Sequence, residues 1–275
     1  MRWLICALAV FAFAPRALAD DLDLLRGSQP VGPPTYYRWS GLYFGGQFGD
    51  NLGRADFSNA TQEPIAFALR ETALENDFSP SLWQVLGTAT HARESFGGFI
   101  GYNSQWQDLV LGLEANYNQA AIGIEAPSFP ISRITPGNGY LVNIDSTGSL
   151  TNLDFGSVRA RAGYVLGNVL PYGFFGLALG QADMHVSTTV SGEQNPPTSG
   201  ACLSTNVPPC TPFSFTATTG RDSQVLVGFS VGLGIDYAIT PNIFLRGEYE
   251  YTQFAPEAGI LVDVNSVRAG AALKF

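Results

Sequence analysis

From Val225 to Tyr237 the chain alternates with a period of two. Val225, Val227, Phe229, Val231, Leu233, Ile235 and Tyr237 share one face, and Leu226, Gly228, Ser230, Gly232, Gly234 and Asp236 share the other. Successive side chains of a strand point to opposite faces, so this is a strand with two different environments. The C-terminal residues repeat the pattern: Val267, Ala269, Ala271, Leu273 and Phe275 oppose Ser266, Arg268, Gly270, Ala272 and Lys274. Between them, Val158, Ala160, Ala162 and Tyr164 oppose Ser157, Arg159, Arg161 and Gly163. The second face constrains the fold most. It is rich in glycine and small residues, and its few charges are of mixed sign: Arg159, Arg161, Arg246 and Arg268 with Glu114, Asp236, Glu248 and Glu250. The first face is almost free of charge. In a soluble barrel of the lipocalin kind the charged face meets water and the apolar face fills the core. Here small residues and pairable charges suit the crowded inside of a narrow barrel, where an unpaired charge is costly. A charge-free outer face is what lipid contact demands, because Arg or Lys at the bilayer midplane of a barrel costs about 2–4 kcal/mol.

Eight segments of this kind are predicted, at about 40–57, 92–103, 106–122, 152–166, 170–187, 222–238, 242–254 and 264–275. The orientation of 170–187 is open, since its first half is apolar on both faces. Tight connections are expected at Asn103-Ser104-Gln105, Gly167-Asn168 and Ala238–Pro241, with long ones after the first, third and fifth segments. Long connections at one end and short ones at the other are the layout of a membrane barrel. The expected fold class is all-β: an eight-stranded antiparallel up-and-down transmembrane β-barrel with short periplasmic turns and long extracellular loops. Two aromatic groups support it. Trp39, Tyr43, Tyr102, Trp106, Tyr164, Tyr172, Tyr237 and Phe244 fall near the turn end, and Phe57, Tyr117, Tyr251 and Phe254 near the loop end, as interfacial girdles would. Composition agrees: 45% hydrophobic residues exclude a disordered chain, while only 13% are charged. A net charge of −9 excludes a basic nucleic-acid-binding face, and no nucleic-acid partner is expected.

The first nineteen residues read as a secretory signal: Arg2, an apolar run from Trp3 to Ala14, and the small-x-small site Ala17-Leu18-Ala19. Residues 20–38, with Pro30, Pro33 and Pro34, read as a periplasmic linker, and 39–275 as the barrel. The chain is thus expected in the cell outer membrane after export, among outer-membrane lipids and lipopolysaccharide. The oxidising destination allows a loop disulfide between Cys202 and Cys210.

Four motifs carry a resemblance. Trp39-Ser40-Gly41-Leu42-Tyr43-Phe44-Gly45-Gly46 opens the barrel, and Gly156-Ser157-Val158-Arg159-Ala160-Arg161-Ala162-Gly163-Tyr164 lies at its centre. Glu248-Tyr249-Glu250-Tyr251-Thr252 follows, and Val267–Phe275 closes the chain. In this order they resemble the small outer-membrane β-barrel proteins of alphaproteobacteria, OmpA-like in their membrane domain, which include surface antigens and porins. Glu250 stands where that family commonly has Arg, and Leu273 where it has an aromatic residue. The resemblance implies that Leu273 and Phe275 form a C-terminal signal read by the barrel assembly machinery.

Catalytic constellations mostly fail. Gly228-Phe229-Ser230-Val231-Gly232 matches the nucleophile-elbow spacing, but that motif needs a strand-to-helix turn and a later histidine. Here the strand continues, and His91 and His185 both precede Ser230. Gly45-Gly46-Gln47-Phe48-Gly49 has no helix pattern after it, so its glycines belong to a strand. His91 and His185 are expected as polar residues at a water interface. No catalytic residue, metal or cofactor is assigned. The leading expectation is a structural outer-membrane protein that supports envelope integrity and presents surface loops to a partner the sequence does not name. The alternatives are a small porin, a surface adhesin and, last, an outer-membrane hydrolase.

Overall fold

A computed structural model describes residues 37–198 and 200–275. The signal sequence and the linker up to residue 36 lie outside the described residues. Nine strands follow in order: β1 (Gly41–Asp56), β2 (Thr88–Trp106), β3 (Leu109–Glu125), β4 (Ile131–Ile134), β5 (Tyr140–Tyr164), β6 (Val169–Gln194), β7 (Thr211–Thr240), β8 (Ile243–Phe254) and β9 (Leu261–Lys274). Eight of them form a closed antiparallel ring. β1 pairs with both β2 and β9, and β3 pairs with β5. The short β4 pairs with β5 alone and stands outside the ring. Closure pairs each of the eight strands on both sides within the apolar band, which makes that part of the sheet tolerable in lipid without water.

The alternation orients the sheet as the sequence indicates. Leu233 is 69% exposed on the outer face, whereas Asp236 inside is fully buried. On β7 the apolar outer face runs from Tyr237 to Val225, ~30 Å along the barrel axis at ~3.3 Å per residue and a tilt of ~40°. The open orientation of 170–187 is resolved. Leu170, Tyr172, Phe174, Ala178 and Ala182 point inward, and Phe175, Leu177 and Leu179 point outward.

Several expectations are corrected. The first tight turn lies at Gln107-Asp108, not at Asn103-Ser104-Gln105; β2 continues to Trp106, and Gln107 takes the positive φ of 54° that the turn requires. The long connections are not plain loops. β5 begins at Tyr140, β6 runs to Gln194, and β7 begins at Thr211, well beyond the predicted ends. Their Ser, Thr and Val residues alternate with period two and favour an extended chain even where they leave the membrane. The connection after β1 folds into two short helices, α1 (Gln62–Ala68) and α2 (Ala73–Phe78), the second capped by the Thr72 hydroxyl, which accepts from the Glu75 N–H.

The aromatic groups divide. Tyr102, Trp106, Tyr164 and Tyr237 face outward at the turn end, as a girdle does, but Trp39, Tyr43, Tyr172 and Phe244 are buried inside. At the other end Tyr117 faces outward and Tyr251 is half-buried, while Phe57 and Phe254 are buried within. Strand parity decides this. Tyr43 shares its face with Gln47 and Gly49, and Tyr172 shares its face with Gly176 and Ala178.

A belt of irregularities marks the upper edge of the apolar band. Register shifts fall between Asn118 and Ile122, Thr151 and Asp154, and Ala182 and Met184. Ala121, Asn152 and Ser223 there have φ of 44°, 55° and 52°. Bulges leave N–H groups outside the ladder, and two carboxylates take them up. Asp154 accepts from the N–H groups of Ala120 and Ala121 at 2.9 and 3.1 Å, and Asp183 accepts from Ser223 N–H at 2.8 Å.

Candidate functional site

The lumen is stacked in layers along its axis. Its periplasmic floor is aromatic. Tyr37 and Trp39 pack at 4.5 Å between ring centroids, and Phe244 lies 5.8 Å from Trp39 and 5.6 Å from Tyr43. The Lys274 ammonium donates to the Arg38 carbonyl and sits 4.5 Å from the Tyr37 ring. The end of the expected linker, Tyr37 and Arg38, is therefore part of the floor.

Above the floor lie the eight predicted charges, and the structure brings all of them together. Glu114 accepts from Arg159 Nε at 3.1 Å, from Arg246 Nη1 at 2.8 Å and from Arg161 Nη1 at 3.3 Å. Asp236 accepts from Arg161 Nη2 at 2.5 Å and from Arg246 Nε at 2.9 Å. Glu248 accepts from Arg159 Nη2 at 2.6 Å and from Arg268 Nη2 at 2.8 Å. Glu250 contacts Arg268 and lies 3.5 Å from Arg159 Nη1. Three of the pairs are direct cross-strand neighbours: Glu114 with Arg159, Asp236 with Arg246, and Glu248 with Arg268. Four arginines balance four carboxylates, which is how charge is tolerated at this burial.

Two tyrosines complete the cluster instead of joining the girdle that their position near the turn end suggests. Tyr43 donates to Glu114 at 2.6 Å and Tyr172 to Glu248 at 2.9 Å. Aromatic rings also cover the guanidinium planes: Arg161 lies 3.7 Å from the Tyr172 centroid, Arg159 3.9 Å from Phe174 and Arg246 4.1 Å from Phe99. The inward parity of these tyrosines was the available signal.

Glycine makes room for this cluster. Each of the four arginines has a glycine directly opposite it on one neighbouring strand: Gly176 for Arg159, Gly112 for Arg161, Gly270 for Arg246 and Gly49 for Arg268. A Cβ on Gly176 would stand 2.6 Å from Arg159 Cβ, and one on Gly49 would stand 2.5 Å from Arg268 Cγ.

A neutral polar layer follows, in which Gln47 donates to Asn118 at 2.6 Å and Asn116 to Ser157 at 3.0 Å. The outer end of the lumen is then apolar. Phe57, Leu86, Ile122, Leu150, Leu153, Met184, Phe254, Ile260 and Val264 form one buried cluster. Farther out, Ile65, Leu69 and Leu74 of the α1–α2 segment pack on Val142, Ile144 and Val190. The cap is hidden in the sequence, because the segment after β1 shows no strand pattern and its helices are only seven and six residues long.

The chemistry-bearing motifs do not assemble. Ser230 is buried in the middle of β7, with no strand-to-helix turn. His91 lies exposed on β2 and His185 exposed on β6, on strands that are not neighbours, and His185 is 3.3 Å from Asp222. Cys202 and Cys210 are joined in a disulfide, with the Glu193 carboxylate 3.8 Å from Cys210 Sγ. Serine at both cysteines is expected to leave the thermal gel transition of the barrel unchanged, since the bond closes only a local loop. Faster proteolysis between 195 and 210 should be the sole effect. At the C-terminus, Leu273 and Phe275 face outward, and the Phe275 ring stacks on Phe44 at 5.6 Å.

Comparison with known proteins finds outer-membrane proteins among the relatives of this chain. The chain is 29% identical over 192 residues to the 22 kDa outer membrane protein of Rhizobium leguminosarum bv. viciae, covering 66% of each chain. It is 24% identical to the 25 kDa outer-membrane immunogenic protein of Brucella ovis, over 98% of this chain and 96% of that one. Among solved structures it resembles Ail, the attachment invasion locus protein of Yersinia pestis, at 14% identity and a TM-score of 0.35, covering 86% of this chain and 99% of that one. The family model described as the outer membrane protein beta-barrel domain matches residues 5–275, and with its closed ring and apolar outer band the chain belongs to that family of outer-membrane β-barrel proteins.

Proposed function

We propose that this protein is a non-conducting structural barrel that anchors an extracellular sheet at the cell surface and supports the envelope. The observation that carries the reading is the filled lumen. An aromatic floor, an eight-charge cluster and an apolar cap succeed one another along the axis. An eight-stranded barrel is just wide enough for its own side chains to fill. Lipid and lipopolysaccharide surround the apolar band, and the assembly machinery reads the outward Leu273 and Phe275. The protein has no catalytic role. This reading is supported by the separation of His91 from His185 on non-neighbouring strands and by relatives whose names describe immunogenic surface proteins.

The test is single-channel conductance of the refolded chain, after heat-modifiable gel migration has verified folding. A silent bilayer is expected. Steady, reproducible openings would replace this reading with that of a small porin, and the inward charges would become selectivity residues.

A further inference from the structure

The wall between β2 and β3 opens above the apolar band. The two strands pair from Trp106 opposite Leu109 up to Phe96 opposite Gln119, and no farther. They are joined again only at the far end, where Leu86 bridges to Ser128 and the Gly87 N–H donates to the Pro127 carbonyl at 3.1 Å. Between these closures, residues 88–95 are paired with β1 on one side and have no ladder partner on the other among the described residues. The opening forms a notch of about 650 Å³, lined by Phe48, Asp50, Arg93, Glu94, Ser95 and Phe96. Consecutive residues of β2, and so both strand parities, line it because the strand is free along this edge.

The neighbours of the notch fix its height. Phe48 and Phe96 stand directly opposite each other in the lipid-facing band, and Asp50 and Glu94, also opposite each other, are the next outward residues on their strands. The notch therefore lies at the outer interface, level with the bulge belt that begins after Asn118. Its three charges have no protein partner. Among the described arginines of the outer half, Arg54 and Arg221 are in ion pairs and Arg70 and Arg133 lie over aromatic rings, but Arg93 has neither. Asp50 and Glu94 are exposed and in no ion pair among the described residues, and like charges directly opposite each other destabilise a sheet. Ser95, of inward parity, is 2% exposed, and its hydroxyl has no hydrogen-bond partner among the described residues. A buried hydroxyl left unpaired is costly, so this group calls for a ligand atom as well.

We propose that this notch is a binding site for one membrane lipid whose headgroup carries both a phosphoryl and an ammonium group. Arg93 takes the phosphoryl oxygens, which a guanidinium recognises with two parallel donors, and the Ser95 hydroxyl supplies a further donor. Asp50 and Glu94 take the ammonium, which relieves their mutual repulsion. Charge selects this headgroup. The notch holds one cation and two carboxylates, so a headgroup that is only anionic meets more repulsion than attraction there. Location selects lipid as the carrier, because the notch opens at the headgroup level and Phe48 and Phe96 border the acyl chains below it. The inference does not depend on whether the barrel conducts.

The test refolds the chain in a neutral detergent, with heat-modifiable migration verifying that each variant folds. Phosphatidylethanolamine, phosphatidylglycerol and phosphatidic acid with identical acyl chains are added in turn, and retained lipid is counted by native mass spectrometry. Expected is a preference of about fivefold for the ethanolamine lipid over the other two, the size of effect that one exposed ion pair gives. Arg93→Gln should lower retention of the ethanolamine lipid by a similar factor. Asp50→Asn with Glu94→Gln should instead raise the two anionic lipids to its level or above, a reversal that a general loss of structure does not produce. Arg54→Gln, on the same strand as Asp50 but outside the notch, should leave the preference unchanged. Equal retention of the three lipids by the unaltered chain, or a preference that survives in both folded notch variants, overturns the site. Binding of free phosphoethanolamine without any preference among the lipids assigns the notch to a soluble ligand and overturns lipid as its occupant.

Discussion

Replacing Arg159 with methionine is expected to destabilise the folded barrel by about 3–5 kcal/mol, read as a lower temperature for the shift between folded and unfolded gel bands. Arg159 holds Glu114 and Glu248 in hydrogen bonds and lies within ion-pair distance of Glu250. Its loss leaves the cluster one positive charge short in a site with almost no access to water. The attraction such a cluster provides is largely offset by the desolvation of its members, so the cost comes from the carboxylate left behind. Arg159→Met with Glu248→Gln restores the balance and is expected to recover roughly half of the loss. Arg161→Met removes the contacts to Glu114 and Asp236 and shifts the transition in the same direction. Arg54 serves as the control. Its guanidinium is half exposed and 3.9 Å from Asp263, so Arg54→Met should change stability by at most about 1 kcal/mol. A transition that stays put in Arg159→Met would mean that the cluster does not support the barrel.

The barrel and its inner charges were legible because period-two alternation is written residue by residue. Arg159 and Arg161, two positions apart on one strand, must share a face, and so must Arg246, Glu248 and Glu250. Once the strands are ordered around a ring, those residues meet. Three parts were not legible, each for a physical reason. The outward extension of β5, β6 and β7 is polar on its outer face, and polar residues without lipid contact read as loop until the sheet continues through them. The apolar cap depends on Ile65, Leu69 and Leu74, whose spacing belongs to short helices and whose partners, Val142, Ile144 and Val190, are far away in sequence. The aromatic floor is hidden because position along the strand points to a girdle, and only parity points into the lumen. Tyr43 and Tyr172 stand near the turn end but on the inward face, where their hydroxyls serve Glu114 and Glu248 instead of a lipid headgroup.

The same parity argument gives the second large effect. Gly176→Val is expected to reduce or abolish folding, although it adds an apolar, strand-favouring residue to a strand. Gly176 is inward and directly opposite Arg159, and a Cβ there would lie 2.3 Å from the Val158 carbonyl oxygen and 2.6 Å from both Arg159 Cα and Cβ. These are backbone and stem atoms that no side-chain rotation can clear. Overpacking a filled interior typically costs about 1–3 kcal/mol. Here the displaced group also carries three of the cluster's ion pairs, so the packing loss and the loss of charge pairing fall on one site and do not add independently. Gly49→Val repeats the experiment at Arg268, where the added Cβ would meet Arg268 Cγ at 2.5 Å and the Val267 carbonyl oxygen at 2.5 Å. Gly247 provides the contrast. It faces outward with nothing within 4 Å of an added Cβ, so Gly247→Ala should fold as well as the unaltered chain. Folded-band yield in the three variants separates the two meanings of glycine in this sequence. Loss at 176 and 49 with none at 247 assigns the inward glycines to seating the arginines. Equal folding in all three would show that the lumen can widen to admit a side chain, and the filled interior behind the proposed function would then have to be abandoned.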